Sequence, residues 1–157
     1  MGLYATAFVA MGVFVSMYNF FGFRAVLGTW SSARAGVLSE RYGRGAVVLA
    51  AAALMLAGAL GVAGASLWFA LAGLHVFTAS FFALHSTASG WVGLIAERDR
   101  AEASSMYVFC YYMGSSVLGA ATGRAYESLP WAGFVAVLAV MLGVLAVVSA
   151  ALWRAER

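Results

Sequence analysis

Two stretches of this chain hold almost no side chain that can form a hydrogen bond. From Val47 to Gly64 every residue is Ala, Gly, Val, Leu or Met, and from Trp131 to Trp153 Ser149 carries the only hydroxyl. About 20 apolar residues suffice to cross the hydrocarbon core of a bilayer. A lone crossing segment must satisfy its own backbone hydrogen bonds, and a helix does so. The rest of the chain leans the same way. Hydrophobic residues make up 64% of 157 positions and charged residues 10%, with a mean hydropathy of +0.93. Soluble domains carry about 25% charged residues, so the polar surface here is too small to cover a globule in water. The alternation that marks a membrane barrel strand is absent. The sequence predicts an all-α integral membrane protein.

Five spans are predicted, at about 3–23 (with a possible extension to Trp30), 45–64, 67–95, 104–122 and 131–153, forming a single transmembrane domain over 1–157. The links are short. Residues 96–103 hold Glu97, Arg98, Asp99, Arg100 and Glu102 and read as a solvated loop. Residues 123–130 read as a turn, with Pro130 opening the last span. The first span has no basic residues before it and too long an apolar stretch for a signal peptide.

All nine basic residues are arginines. Arg34, Arg41 and Arg44 precede the second span, Arg98 and Arg100 precede the fourth, and Arg154 and Arg157 follow the fifth. These three places are two spans apart and share a side, whereas the other side has only Arg124. Arginine excess marks the cytoplasmic side, and five spans then put the N-terminus outside. The net charge of +3 belongs to these loops and is no nucleic-acid footprint.

Several chemistries find no support. Cys110 is the only cysteine, which rules out an intrachain disulfide, and its apolar surroundings suit a small packing residue. There is no phosphate-binding glycine loop, nucleophile elbow or pair of carboxylates within a span, so no enzyme and no cofactor is expected. His75 and His85 are ten residues apart without a third ligand nearby, which does not fit a metal site.

Polar residues within a span are costly and usually face a bundle interior or a cavity. They concentrate in the first, third and fourth spans, leaving the second and fifth as lipid-facing supports. In the third, His75, Thr78, Phe82, His85, Ser89 and Val92 recur every three or four residues and share a helix face. One reading is a cavity wall in which a histidine takes up a proton; the other is hydrogen-bonded packing between helices. His85 is the better proton site of the two. In the fourth, Tyr111 and Ser115 line one face beside Gly114 and Gly119, with ligand contact and close packing as the alternatives. In the first, Asn19 needs a partner and can line a cavity, and Arg24 can snorkel to the interface. All six carboxylates lie near loops or ends, so proton coupling would fall to His85, His75 or a second bundle.

The arginine-rich stretch GVLSERYGRG, residues 36–45, combines Gly36 for close helix approach, Gly43 for a tight reversal, and Glu40 to accept hydrogen bonds from Arg41 or Arg44 or to face a helix N-terminus. With Leu38 and Arg44 it resembles the cytoplasmic loop G-x-L-[AS]-[DE]-R-x-G-R-[RG] of the major facilitator superfamily. FFALHSTASGWVG and SSMYVFCYYMGSSVLGA look like the last helices of its bacterial efflux permeases. The resemblance runs from about residue 3 to the end and matches the C-terminal six-helix half of such a transporter. It implies that Gly36, Leu38, Glu40, Arg41, Gly43 and Arg44 latch a cytoplasmic gate. It further implies small-molecule efflux by alternating access in a bacterial inner membrane, with proton coupling. Asn19, His75, Thr78, His85, Ser89, Tyr111 and Ser115 would form the substrate or proton pathway. The partner would be an N-terminal half or a second copy of this chain. Against the family's six helices the chain is short by roughly 20 residues, one span, with the first helix running straight into the tail of the second, GTWSSARAG. The alternative is a small membrane protein, or a remnant, that packs against another membrane subunit without transporting.

Overall fold

The computed structural model describes residues 2–18, 25–63 and 66–157, with side chains at 2–13, 28–63 and 66–157. Among the described residues there are six helices: α1 (Gly2–Tyr18), α2 (Ala25–Tyr42), α3 (Arg44–Val62), α4 (Leu67–Ile95), α5 (Arg100–Ser128) and α6 (Trp131–Glu156). No strand occurs among the described residues. By length and composition α3, α4 and α6 can each cross a membrane. At 1.5 Å per residue, α4 and α5 are each about 43 Å long and exceed a hydrocarbon core of about 30 Å.

The all-helical class read from the sequence holds, while the count rises from about five to six. Segment GTWSSARAG is not the tail of the first span. It lies in a helix of its own, α2, whose serines and arginine kept it below the threshold of an apolar run. The decapeptide is likewise not a loop: residues 36–42 form the last turns of α2, and only Gly43 lies outside a helix. The charged loop narrows to residues 96–99, because α5 begins at Arg100. The expected turn at 123–130 shrinks as well, since α5 continues to Ser128. Leu129 is extended (φ −114°, ψ 147°), as a residue before proline prefers, and α6 starts after Pro130.

Helix directions follow from a few contacts. Gly45, in the first turn of α3, lies against Trp153 in the last turns of α6, and Gly2 lies against Leu152. The start of α1, the α2–α3 turn and the end of α6 therefore share one end of the bundle. Ser39 of α2 meets Thr87 of α4, so α4 descends to the same end and α5 leaves from it. Arg98 and Arg100 thus join Arg41, Arg44, Arg154 and Arg157 there, with Arg124 near the far end of α5. The expected outside N-terminus is corrected: with α2 as a separate helix, residue 2 lies at the arginine-rich end.

α1 packs on α5 and α6, α3 packs on α4 and α6, α2 packs on α4, and α4 also meets α5. Successive helices alternate in direction, so α1 and α4 start from opposite ends.

The core runs through α3, α4 and α6, where Val48, Met55, Phe77, Phe81, Leu84, Leu138, Leu142 and Leu145 are fully buried. Glycine sets the closest crossings. A Cβ on Gly58 would stand 2.7 Å from the Gly73 carbonyl oxygen, and one on Gly73 would stand 2.6 Å from the Gly58 carbonyl oxygen. A Cβ on Gly114 of α5 would collide with the Phe8 carbonyl of α1. Such small-residue seams let helix backbones approach closely without a hydrophobic driving force between them.

Candidate functional site

The first candidate region is the turn at the arginine-rich end. Gly43 has φ +87° and ψ 151°, a conformation that reverses the chain and that side chains disfavour. Its N–H donates to the Ser39 carbonyl at 3.1 Å, closing α2. α3 starts at once, and its first N–H groups need acceptors. They are met from the other end of the sequence: the Arg44 N–H donates to Glu156 Oε1 at 3.0 Å and the Gly45 N–H to Oε2 at 2.6 Å. A carboxylate at a helix N-terminus also meets the positive end of the helix dipole. The acid at this N-terminus is therefore Glu156, where the sequence offered Glu40.

Glu40 and Arg44 instead line a polar cavity of about 230 Å³ between α2 and the lower part of α4, together with Ser39, Ser86 and Thr87. The Ser39 and Thr87 hydroxyls lie 3.3 Å apart across it. Gly36 opens on the same cavity, and nothing lies within 4 Å of the place its Cβ would occupy. The expected role of Gly36 in close helix approach is corrected accordingly. Arg41 places its guanidinium 5.3 Å from the centre of the Tyr42 ring, and Leu38 is exposed on the opposite side of α2.

The second region lies on the α4–α5 seam. Tyr107 is fully buried, and its hydroxyl sits 3.1 Å from His85 Nδ1. The same hydroxyl reaches the His85 carbonyl oxygen at 3.4 Å. The imidazole is parallel to the Phe81 ring (interplanar angle 5°, centroids 5.8 Å apart) and has Tyr111 at 4.7 Å on another side. Tyr112 meets Tyr111 edge-on. This geometry serves both charge states of the ring. With neutral His85 the phenol donates to Nδ1. With the cation, Nδ1–H donates to the phenol oxygen and the phenol proton turns to the carbonyl.

The stripe predicted on α4 does not act as one surface. His85 faces α5, and Ser89 follows one turn later, exposed. His75 is exposed and its Nδ1 is 2.7 Å from the Leu71 carbonyl oxygen, while buried Thr78 donates to the Leu74 carbonyl at 2.7 Å. Both are satisfied on their own helix, as polar groups within apolar helices require. Tyr111 is brought to His85, and half-buried Ser115 lies one turn further along α5. Asn19 and Arg24 lie outside the described residues. No cluster of three or more His, Cys, Asp or Glu side chains able to hold a metal occurs among the described residues.

Tyr107, Phe81 and Glu156 were not among the sequence candidates. A pairing of rows could have found the first two: Phe81 and His85 are four residues apart on one helix, as are Tyr107 and Tyr111 on the other.

Three helices long and apolar enough to cross a membrane, packed with three others around an aromatic seam, define a partial membrane helical bundle. Sequence comparison agrees. The chain is 40% identical to the inner membrane transport protein YnfM of Escherichia coli (strain K12), over 97% of this chain and 41% of that protein. It is 38% identical to the MFS-type transporter YybF of Bacillus subtilis (strain 168), over 74% of this chain and 29% of that protein. It is 33% identical to the transporter BU588 of Buchnera aphidicola, over 89% of this chain and 39% of that protein. The resemblance carried by the decapeptide is thus borne out: the chain belongs with the transporters of the major facilitator superfamily, as a partial bundle. It spans about two fifths of the length of YnfM and BU588. No family model matches it, and no solved structure matches it.

The alignment with YnfM is 171 residues long but takes in 97% of 157, about 152, so it exceeds the chain's share by about 19 residues, close to one membrane span. That with BU588 is 159 residues long for 89%, about 140, again about 19 longer and again close to one span. The YybF alignment, 117 residues for 74% of the chain, carries almost no such excess. The shortfall in length read from the sequence has its counterpart in these figures, although the described residues form six helices and not five.

Proposed function

We propose that the chain is one helical half of a secondary active transporter of a bacterial inner membrane. Packed against a second bundle, it exports small molecules by alternating access and draws on a proton gradient. The observation that carries this reading is the His85–Tyr107 pair, a proton-accepting group held between helices with a hydrogen bond ready for each charge state. Half-buried Tyr111 beside His85 and exposed Tyr112 edge-on to it supply an aromatic face of the sort that takes amphipathic compounds. At the arginine-rich end, Glu40, Arg41 and Arg44 are assigned to the gate, with the Glu40–Arg44 cavity as its socket.

Co-expression with the N-terminal half of a full-length relative tests it. The expected result is substrate efflux that the chain or the half alone does not give. His85→Ala lowers it by about 100-fold or more, the usual range for a lost proton-transfer group, and flattens its pH dependence, whereas Tyr107→Phe, which removes only the partner hydroxyl, lowers it less. Efflux indifferent to both variants removes the proposal.

The excess of the relatives' alignments favours a second reading, a non-transporting membrane protein that packs against another subunit. A stable complex without flux is its signature.

A further inference from the structure

A groove of about 490 Å³ lies on the far side of α2 from the Glu40 cavity. That is within the roughly 300–1,000 Å³ of ordinary ligand pockets. α2 and α3 are joined at Gly43, and the wedge between them is floored by Ala79, Ser80 and Ala83 of α4. Its walls are Leu38, Ala50 and Leu54 among other apolar residues, and it has no acidic lining residue. Ser31, one of its few polar groups, is spent on the Gly28 carbonyl at 3.2 Å.

Two features identify the occupant. The groove runs from Tyr42 and Ala46 at the arginine-rich end to Trp30 and Leu54. Twelve positions along α2 make about 18 Å at 1.5 Å per residue, close to the depth of one leaflet, about half of a 30 Å core. Its cations meet no acid within it. Arg34 lines the wall with its guanidinium 5.5 Å from the centre of the Trp30 ring, and Arg41, next in sequence to the lining residue Tyr42, holds its own 5.3 Å from the centre of the Tyr42 ring; both arginines are exposed. Long arginine side chains in a span turn their heads to the interface, and basic pockets between helices at that level hold anionic lipid headgroups.

We propose that this groove holds one anionic phospholipid of the leaflet at the arginine-rich end, its acyl chain against Ala50 and Ala83 and its phosphate held by Arg34 and Arg41. The site is separate from the His85 seam; it shares Arg41 with the proposed gate, and lipid retention is read without transport.

The full chain is reconstituted in bilayer discs of phosphatidylglycerol and phosphatidylethanolamine, and retained lipid is read by native mass spectrometry. The wild type is expected to keep one phosphatidylglycerol in preference to phosphatidylethanolamine. Arg34→Gln with Arg41→Gln removes the preference, and Arg124→Gln, at the other end, does not. Equal retention of the two lipids by the wild type, or an unchanged preference in the double variant, overturns the proposal. A second measurement needs no variant. Phosphatidylglycerol with a photoreactive acyl chain is expected to mark Leu54, Ala50 or Ala83, and adducts confined to other surfaces overturn the proposal.

Discussion

Gly36 and Gly43 stand seven residues apart in one motif and do different work. Gly43 needs its missing side chain, since φ +87° with ψ 151° is essentially closed to other residues and costs them about 1–3 kcal/mol. A Cβ there would also stand 3.4 Å from Glu156 Oε2. Gly36 is an exposed helical residue with open space around it, where alanine is favoured by about 0.5–1 kcal/mol. Gly43→Ala is therefore expected to lower the thermal unfolding midpoint in detergent, and Gly36→Ala to hold or raise it. A fall of equal size in both would contradict the structure. The sequence showed both glycines and could not separate them, because the difference lies in the backbone angle of one and the empty surroundings of the other. His85 was legible as an ionisable group in an apolar helix. Its partner was not, since the register of α5 against α4 decides which tyrosine meets it. Glu156 was hidden further still, more than 100 positions from the N–H groups it caps.

Among elements, α4 shows what apolar periodicity captures. Its predicted bounds, 67–95, match the helix Leu67–Ile95. α5 shows the opposite. Hydropathy marked 104–122, yet the helix runs from Arg100 to Ser128, because its polar ends still favour helix after the apolar run stops. α2 was divided between a span and a loop for the same reason. The α3–α4 seam makes a sharper claim about elements. Gly73 meets backbone atoms on α3, the Gly58 carbonyl oxygen at 2.6 Å and the Val62 nitrogen at 2.9 Å from a built Cβ. Backbone cannot turn aside as a flexible side chain can. Gly73→Leu is expected to spread α3 from α4 and destabilise the bundle by about 1–3 kcal/mol, the usual cost of overpacking. Gly143→Leu, with nothing within 4 Å, is expected to leave stability nearly unchanged. Unfolding of the two variants in a mixed detergent series provides the comparison.

For the whole molecule, six alternating helices make a topological statement that five spans do not. Residue 2, Tyr42, Arg98 and Arg157 share a side and Arg124 faces the other. Single cysteines at these positions in a Cys110→Ala background, labelled with an impermeant maleimide in oriented vesicles, are expected to divide four against one. Labelling of residue 2 from the side of Arg124 would restore the five-span reading. The Glu156 carboxylate has a mechanical consequence at this scale. It fastens the last turn of α6 to the first turn of α3, while Gly43 allows almost no slack between α3 and α2. Those three helices are therefore tied together at the arginine-rich end, and a displacement of α6 there carries α3 and α2 with it.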